Sequence, residues 1–148
     1  MVVLEPYDRI VICDLDGTLS DCGHRIKLWK SRKYDEFNKA GIDDKPIKPI
    51  VDLVNNLPEK TYVVIMTARS VAVKDTTVKW LSKNKVRFDL VIMREMDDVR
   101  SDADVKRDLF IKHIDEEKVW LVIEDRDQCV DMWRGLGLTC LQVAPGDY

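Results

Sequence analysis

Short apolar runs rich in β-branched residues recur along the chain and constrain its fold more than any other feature. Each run is nearly continuous, without polar alternation, which is typical of strands buried on both faces of a parallel sheet. Four clear runs, and a weaker one interrupted by Thr139 and Gln142, predict strands at residues 9–13, 62–66, 90–93, 119–123 and 138–143.

The segments between these runs carry apolar side chains at helical spacing. These stripes predict helices over residues 47–57, 73–81, 105–110 and 129–136. Strands and helices that alternate through right-handed crossovers form an open sheet with helices on both faces. The sequence therefore predicts an α/β, Rossmann-like fold of three layers with a central parallel sheet. Functional sites in such folds gather outside the carboxyl ends of the strands.

One charged segment breaks this alternation. Residues 20–45 separate the first strand from the first helix and predict a small cap of one or two short helices. The cap carries Trp29, Tyr34 and Phe37, for which core packing is the simpler expectation and stacking on a base the alternative. With 148 residues and 45% hydrophobic content, the chain is expected to form a single domain over residues 1–148.

Composition and charge indicate which partners and which cellular compartment to expect. The 24 basic and 27 acidic side chains give a formal net charge of −3, so a polyanionic partner would need a local basic patch. The four cysteines lack the Cys-x-x-Cys spacing and are expected to be reduced. Residues 1–7 lack the pattern of a signal peptide, and no apolar stretch is long enough to span a bilayer. A cytoplasmic protein without a membrane partner is expected.

Two carboxylates directly follow the first predicted strand. Asp14 and Asp16 stand at its carboxyl end, and Gly17 permits a sharp turn that brings the second carboxylate over the first. Hard oxygen ligands suit Mg²⁺, and an aspartate acts as a nucleophile on phosphorus when a metal offsets the repulsion between two anions. Taken alone, the pair could also be a turn with a capping side chain.

Three further polar clusters each follow a predicted strand. Thr67-Ala68-Arg69 comes after the second strand, where a hydroxyl, backbone amides and a helix start can hold phosphate oxygens. Lys106 lies near the start of the third predicted helix and could neutralise phosphate charge. The acidic cluster at residues 124–127 suits a Mg²⁺ site. Taken alone, each cluster also has an ordinary structural explanation. The occurrence of all four in this order along the chain is what indicates an active site.

In this order the four clusters resemble the sequence motifs of the haloacid dehalogenase (HAD) superfamily, over almost the whole chain. The resemblance implies a HAD-like fold and a Mg²⁺-dependent phosphatase that works through an aspartyl-phosphate. By the same resemblance Asp14 is the nucleophile and a metal ligand. Asp16 is the general acid and base and gives a backbone oxygen to Mg²⁺, while Asp125 is the metal-binding carboxylate. Thr67 and Lys106 bind the phosphoryl group.

The end of the sequence is similar to a narrower family. The motifs DRDQ (125–128) and LQVAPGDY (141–148) look like the phosphatase domain of phage polynucleotide kinase-phosphatase. This likeness implies removal of 3′-phosphates from nucleic-acid ends. It also implies that Arg25, Arg69 and Asp102, at positions needed for activity, bind the phosphate or another part of the substrate. Glu124 stands where the family keeps an aspartate, and residues 25–45 match poorly, which leaves the substrate open. No Gly-x-x-x-x-Gly-Lys-Ser/Thr phosphate loop occurs, so kinase activity is not predicted.

Three functions follow from these observations. The first is a polynucleotide 3′-phosphatase, supported by the basic cap residues Arg25, Lys27, Lys30, Arg32 and Lys33. The second is a nucleotidase for free mononucleotides, which the acidic net charge and the cap aromatics favour. The third is a non-catalytic binding module, disfavoured because every polar residue that the chemistry needs is present. A phage origin, and with it the host cytoplasm, is suggested by the family likeness alone, and the oligomeric state is left open.

Overall fold

The structure is a computed structural model that describes residues 7–148. Its strands and helices, in chain order, are β1 (Arg9–Cys13), β2 (Ser20–Asp21), α1 (Ile26–Lys30), α2 (Tyr34–Ala40), β3 (Lys45–Pro46), α3 (Lys48–Asn55), β4 (Thr61–Ser70), α4 (Lys74–Lys83), β5 (Leu90–Arg94), α5 (Asp102–His113), β6 (Val119–Glu124), α6 (Asp127–Gly135) and β7 (Cys140–Gln142). Single 3₁₀ turns lie at Gly23–Arg25, Gly41–Asp43, Val71–Val73 and Glu116–Lys118.

The main sheet has five parallel strands in the order β5-β4-β1-β6-β7. Strand β1 lies in the middle, and its last residue, Cys13, pairs with Ile65 of β4 and Ile123 of β6. Parallel strands require crossover connections, which the intervening helices supply. This confirms the predicted α/β fold with a central parallel sheet.

The two faces of the sheet bury two separate apolar clusters, because successive strand residues point to opposite sides. Ile10 and Ile12 of β1 pack with α5 and α6, whereas Val11 and Cys13 pack with α3 and α4. The helices therefore form one layer on each side of the sheet. Trp80 and Trp133 are fully buried, whereas Trp120 is 43% exposed. It lies near the start of β6, where the guanidinium of Arg9 covers its ring.

Strand β4 is longer than the sequence pattern indicates, because its polar end is still paired. It runs to Ser70, which pairs with Arg94 of β5 after an irregularity that begins at Thr67. The expected helix start at Thr67-Ala68-Arg69 is therefore wrong. Ser70 instead caps the following 3₁₀ turn by accepting a hydrogen bond from the amide of Ala72, and α4 begins at Lys74.

A short antiparallel pair closes the segment inserted after β1. Ser20 of β2 pairs with Pro46 of β3, and α1 and α2 lie between these strands. The side chain of Phe37 is buried there, with the guanidinium of Arg25 over its ring. Pro49 occupies the first turn of α3, as its missing amide hydrogen favours.

All four cysteines are free and buried. Among the described helices, none has the length and apolarity that a bilayer crossing requires. The expectation about a signal peptide concerns residues 1–7, most of which lie outside the described residues.

Candidate active site

Asp14 is the first residue after β1, and its carboxylate is buried in contact with a lysine. Its amide donates to the carbonyl of Ile123 in β6 (2.9 Å), which fixes the backbone at the edge of the sheet. Oδ1 accepts a hydrogen bond from Nζ of Lys106 at 2.7 Å, and Oδ2 accepts one from the hydroxyl of Thr18 at 3.0 Å. The residue is only 5% exposed.

Lys106 lies between two buried carboxylates. It projects from α5, which begins after Ser101 because that hydroxyl accepts a hydrogen bond from the amide of Asp104. Its Nζ donates to Asp14 and, also at 2.7 Å, to Oε2 of Glu124 at the end of β6. Burial lowers the pKa of Lys106, but the two nearby negative charges outweigh it and raise the pKa well above its ordinary value. The lysine is therefore charged.

Three buried carboxylates meet at the ends of β1 and β6 and form a candidate metal centre. One oxygen from each of Asp14, Glu124 and Asp125 lies within 4.8 Å of the others. Burial and then the neighbouring negative charge raise the pKa of both Asp14 and Asp125 from 3.8 to about 7. Buried anions this close together need a compensating cation. Lys106 compensates Asp14 and Glu124 but does not bond to Asp125, so the donor set fits a hard cation such as Mg²⁺.

The turn after β1 brings the backbone of Gly17 close to the Asp125 carboxylate of this centre. Gly17 has a φ of +81°, and its amide donates to the carbonyl of Ser20 at 2.8 Å. A Cβ at Gly17 would lie 2.8 Å from Cγ of Asp125, so a side chain there would collide with the carboxylate. The predicted sharp turn is present, and glycine is required for both its conformation and its closeness to Asp125.

Unlike Asp14, which contacts Lys106, the side chain of Asp16 bonds to two arginines. Its carboxylate accepts hydrogen bonds from Nη2 of Arg69 at 2.6 Å and from Nη2 of Arg25. Both arginines also contact Asp44, at the end of the cap segment. Burial raises the pKa of Asp16, but the two guanidinium groups outweigh it and hold the pKa far below its usual range. Arg25 and Arg69, expected to bind substrate phosphate, therefore each bind Asp16 here.

The remaining predicted site residues surround the same cleft. Thr67 is buried, and its hydroxyl accepts a hydrogen bond from the amide of Arg69 at 3.2 Å. Asp102 forms ion pairs with Arg94 (2.6 Å) and with Arg126. The cleft has a volume of about 470 Å³ and is lined by all the predicted residues except Arg25, namely Asp14, Asp16, Thr67, Ala68, Arg69, Asp102, Lys106 and Asp125.

Besides Arg69 and Lys106, the cations that line the cleft differ from those that the sequence suggests. The basic cap residues, Arg25, Lys27, Lys30, Arg32 and Lys33, are not among its lining residues, whereas Arg94, Arg100 and Arg126 are. Tyr148 also lines it and donates a hydrogen bond of 2.6 Å to Oδ2 of Asp125. Sequence reasoning missed this tyrosine and the three arginines. The likeness of residues 125–128 and 141–148 to one family was the available signal for Arg126 and Tyr148.

Known proteins are similar to this chain in sequence and fold. A baculovirus protein, the “Putative bifunctional polynucleotide kinase/RNA ligase” of Autographa californica nuclear polyhedrosis virus, is 28% identical over 97% of this chain and 20% of its own length. A solved Pnkp1/Rnl/Hen1 RNA repair complex contains a chain 32% identical to this one, with a TM-score of 0.82. The match covers 97% of this chain and 44% of that one. This chain thus spans less than half the length of either relative.

More distant structures share the fold. A haloacid dehalogenase-like hydrolase from Streptococcus pneumoniae is 18% identical, with a TM-score of 0.63 over 90% of this chain and 83% of that one. The HAD-like fold is therefore confirmed. Residues 8–148 also match the pattern that defines the Polynucleotide kinase PNKP phosphatase domain. Because this match covers nearly the whole sequence, the chain belongs to the PNKP phosphatase family and is a HAD-type phosphatase.

Proposed function

We propose that this phosphatase removes 3′-phosphates from polynucleotide ends, in a Mg²⁺-dependent reaction with Asp14 as the nucleophile. The observation that carries the proposal is the convergence of Lys106 and Asp125 around the buried Asp14 carboxylate in an open cleft. The substrate class is supported by the family and by relatives named for polynucleotide kinase and RNA repair.

In the proposed reaction, a carboxylate oxygen of Asp14 attacks phosphorus in line with the leaving 3′-oxygen. The bond between phosphorus and that oxygen breaks, the oxygen takes a proton from Asp16, and Asp14 becomes phosphorylated. Asp16 then takes a proton from a water molecule whose oxygen attacks the same phosphorus. This second step releases inorganic phosphate and regenerates the Asp14 carboxylate.

Lys106 can offset the negative charge that a phosphoryl group brings close to the Asp14 carboxylate. Its Nζ lies 2.7 Å from Asp14, so it can neutralise phosphoryl oxygens that approach the nucleophile. We infer that Asp14, Asp125 and the backbone oxygen of Asp16 hold Mg²⁺, which supplies further positive charge to the phosphoryl group when bound. We also propose that Thr67 and the backbone of Ala68 bind a phosphoryl oxygen.

Asp16 needs a change of partners before it can act as an acid. Because Arg25 and Arg69 hold its pKa far below the usual range, Asp16 is ionised in this arrangement. Its first role requires that the carboxyl leave these guanidinium groups, gain a proton and turn toward the leaving oxygen.

We propose that Arg69, which lines the cleft, binds phosphate oxygens of the substrate once Asp16 has left it. Arg25 does not line the cleft and is proposed to support substrate binding indirectly, through its bonds to Asp44. Asp102 is proposed to do so by positioning Arg94 and Arg126.

We propose no kinase activity for these 148 residues, because they contain no phosphate-binding loop of the Gly-x-x-x-x-Gly-Lys-Ser/Thr type. The competing function is a nucleotidase for free mononucleotides. The cap residues Trp29 and Tyr34, which line the cleft, would suit a single base as well as the end of a polynucleotide.

The test measures Mg²⁺-dependent phosphate release from a 3′-phosphorylated oligonucleotide beside 3′- and 5′-mononucleotides at equal concentration. The proposal predicts a clear preference for the oligonucleotide. Preference for mononucleotides would replace it with the nucleotidase. Asp14→Asn should lower turnover by about a thousandfold or more, whereas Asp52→Asn, at an exposed position on α3, should not change it. Activity retained by Asp14→Asn would contradict the assignment of the nucleophile.

A further inference from the structure

Three aromatic rings and one guanidinium group form a cluster where the cap meets the sheet. The ring centroids of Trp29 in α1 and Tyr34 in α2 are 6.4 Å apart, and Tyr148 lies edge-on to Trp29 at 5.9 Å. The guanidinium of Arg126 lies 4.7 Å from the centre of the Trp29 ring and 5.1 Å from that of Tyr148. All four residues line the cleft that contains Asp14.

Core packing does not account for this cluster. Phe37, the third aromatic residue of the cap, is 7% exposed and does pack in the interior. Tyr34 is 49% exposed, so nearly half of its surface is left to solvent beside the cleft. An exposed aromatic side chain next to a partly buried tryptophan and an arginine is a surface on which a flat ring can stack.

The cluster lies one side chain away from the metal centre. Tyr148 spans the interval, because its hydroxyl contacts Asp125 while its ring contacts Trp29. In a nucleotide, one sugar separates the 3′-phosphate from the base, and this sugar is comparable in length to the Tyr148 side chain. A phosphate near Asp14 therefore places its own base within reach of the cap aromatics.

We propose that Trp29, Tyr34 and Arg126 form a stacking subsite for the base of the nucleotide that carries the 3′-phosphate. The inference rests on the proposed function and adds to it the part of the substrate that the cap recognises. Aromatic and guanidinium surfaces stack on any base because every base has a π face. The subsite should therefore require a base without selecting among the four.

The experiment compares two oligonucleotides of equal length that carry a 3′-phosphate. One ends in an ordinary nucleotide and the other in an abasic sugar. With the unmodified protein, kcat/KM should be about tenfold higher for the end that has a base. In Tyr34→Ala and Trp29→Ala this ratio should fall toward one, while Tyr34→Phe should keep it because the ring remains.

Trp120→Ala is the matched control for Trp29→Ala. Each tryptophan has an arginine guanidinium 4.7 Å from its ring centre, but Trp120 lies near the start of β6, away from the cleft. This control should keep the preference for the end that has a base. If Trp29→Ala fails to fold, the exposed position of Tyr34 keeps the test available.

The outcomes separate the inference from the function on which it rests. Equal rates on base-bearing and abasic ends by the unmodified protein would overturn the stacking subsite and leave the 3′-phosphatase in place. A tenfold preference that survives both alanine variants would also overturn it, since the base would then be recognised elsewhere. Hydrolysis of simple phosphate esters without any action on 3′-phosphorylated oligonucleotides would overturn the proposed function and the subsite together.

Discussion

The phenolic hydroxyl of Tyr148 donates a hydrogen bond of 2.6 Å to Oδ2 of Asp125. The same tyrosine is held in turn by Arg126, whose Nε donates to its carbonyl oxygen at 2.7 Å. Partners that orient a metal-binding carboxylate contribute to metal affinity although they do not touch the metal. The relationship therefore links the end of the described chain to the proposed Mg²⁺ site.

We predict that Tyr148→Phe raises the Mg²⁺ concentration required for half-maximal activity by about tenfold or more, because Asp125 loses the bond that orients it. The ring remains, so contacts with Trp29 are kept. Titration of both phosphatase activity and thermal stability with Mg²⁺ measures the effect. Tyr62→Phe, which removes a hydroxyl near the start of β4, is the control and should leave both titrations unchanged. An unchanged Mg²⁺ requirement in Tyr148→Phe would contradict this role.

Mg²⁺ binding should also depend on pH, because the metal competes with protons for Asp14 and Asp125. Both groups have a pKa of about 7 in the folded, metal-free protein against an ordinary value of 3.8. Stability gained from protonation is fully present below pH 3.8 and lost as the pH rises through about 7. The metal-free protein should therefore become less stable over this range.

In the proposed site Mg²⁺ would bind the ionised forms of both carboxylates, so its presence should remove this loss of stability. The rise in melting temperature that Mg²⁺ produces is therefore expected to be large at about pH 8 and small at about pH 5.5. Affinity for Mg²⁺ should fall by roughly tenfold for each pH unit below the pKa if one proton is displaced, and by roughly a hundredfold if both carboxylates release a proton. Thermal unfolding with and without Mg²⁺ measures the first effect and calorimetric titration the second, each at several pH values. A rise in melting temperature that is equal at all these pH values would exclude Asp14 and Asp125 as the carboxylates that lose protons.

The buried charges between cap and sheet should matter for stability. Arg25 is 1% exposed and bonds to Asp16, Asp44 and the carbonyl of Phe37. We predict that Arg25→Ala lowers the free energy of unfolding by about 3 to 5 kcal/mol, since it removes one of the two guanidinium groups that compensate the carboxylates of Asp16 and Asp44.

Denaturant unfolding measures this effect, and Lys48→Ala provides the comparison. Lys48 pairs with Asp52 on the surface of α3, where its side chain is 80% exposed. Loss of that pair should cost about 0.5 kcal/mol or less. Similar costs for Arg25→Ala and Lys48→Ala would show that the buried network does not hold the cap in place.

The sequence predicts the fold well because its apolar runs are both short and sharply bounded. Strand β1 ends where predicted, at Cys13, since the next residue is charged. Strand β4 extends four residues further than its apolar run, because pairing with β5 continues through polar residues. Hydrophobic pattern reports burial and cannot report backbone pairing that continues beyond the buried part.

The candidate site is predictable only in part. The sequence predicts which residues the sheet brings together, but not which side chains bond to one another. Asp14, Lys106 and Asp125 each follow a strand, so the topology of the sheet brings them together. The hydrogen-bond partners of each side chain depend on packing between distant segments, which no local sequence pattern encodes. The family resemblance predicts that Arg25 and Arg69 bind phosphate or substrate, but nothing in the sequence predicts their hydrogen bonds to Asp16.

A final prediction concerns Gly146, which packs against the backbone of Asp125, a proposed metal ligand, and of Arg126. A Cβ at this position would lie 2.6 Å from the carbonyl carbon of Asp125, and the carbonyl of Gly146 accepts a hydrogen bond from the amide of Asp127 at 2.8 Å. Gly146→Ala must therefore displace Asp125, and small displacements of catalytic groups are costly. We expect kcat/KM to fall by about tenfold or more, with weaker Mg²⁺ binding. Gly135→Ala is the matched control, because a Cβ there meets no atom within 4 Å at the end of α6. Equal activity of the two variants would show that the Gly146 segment does not position Asp125.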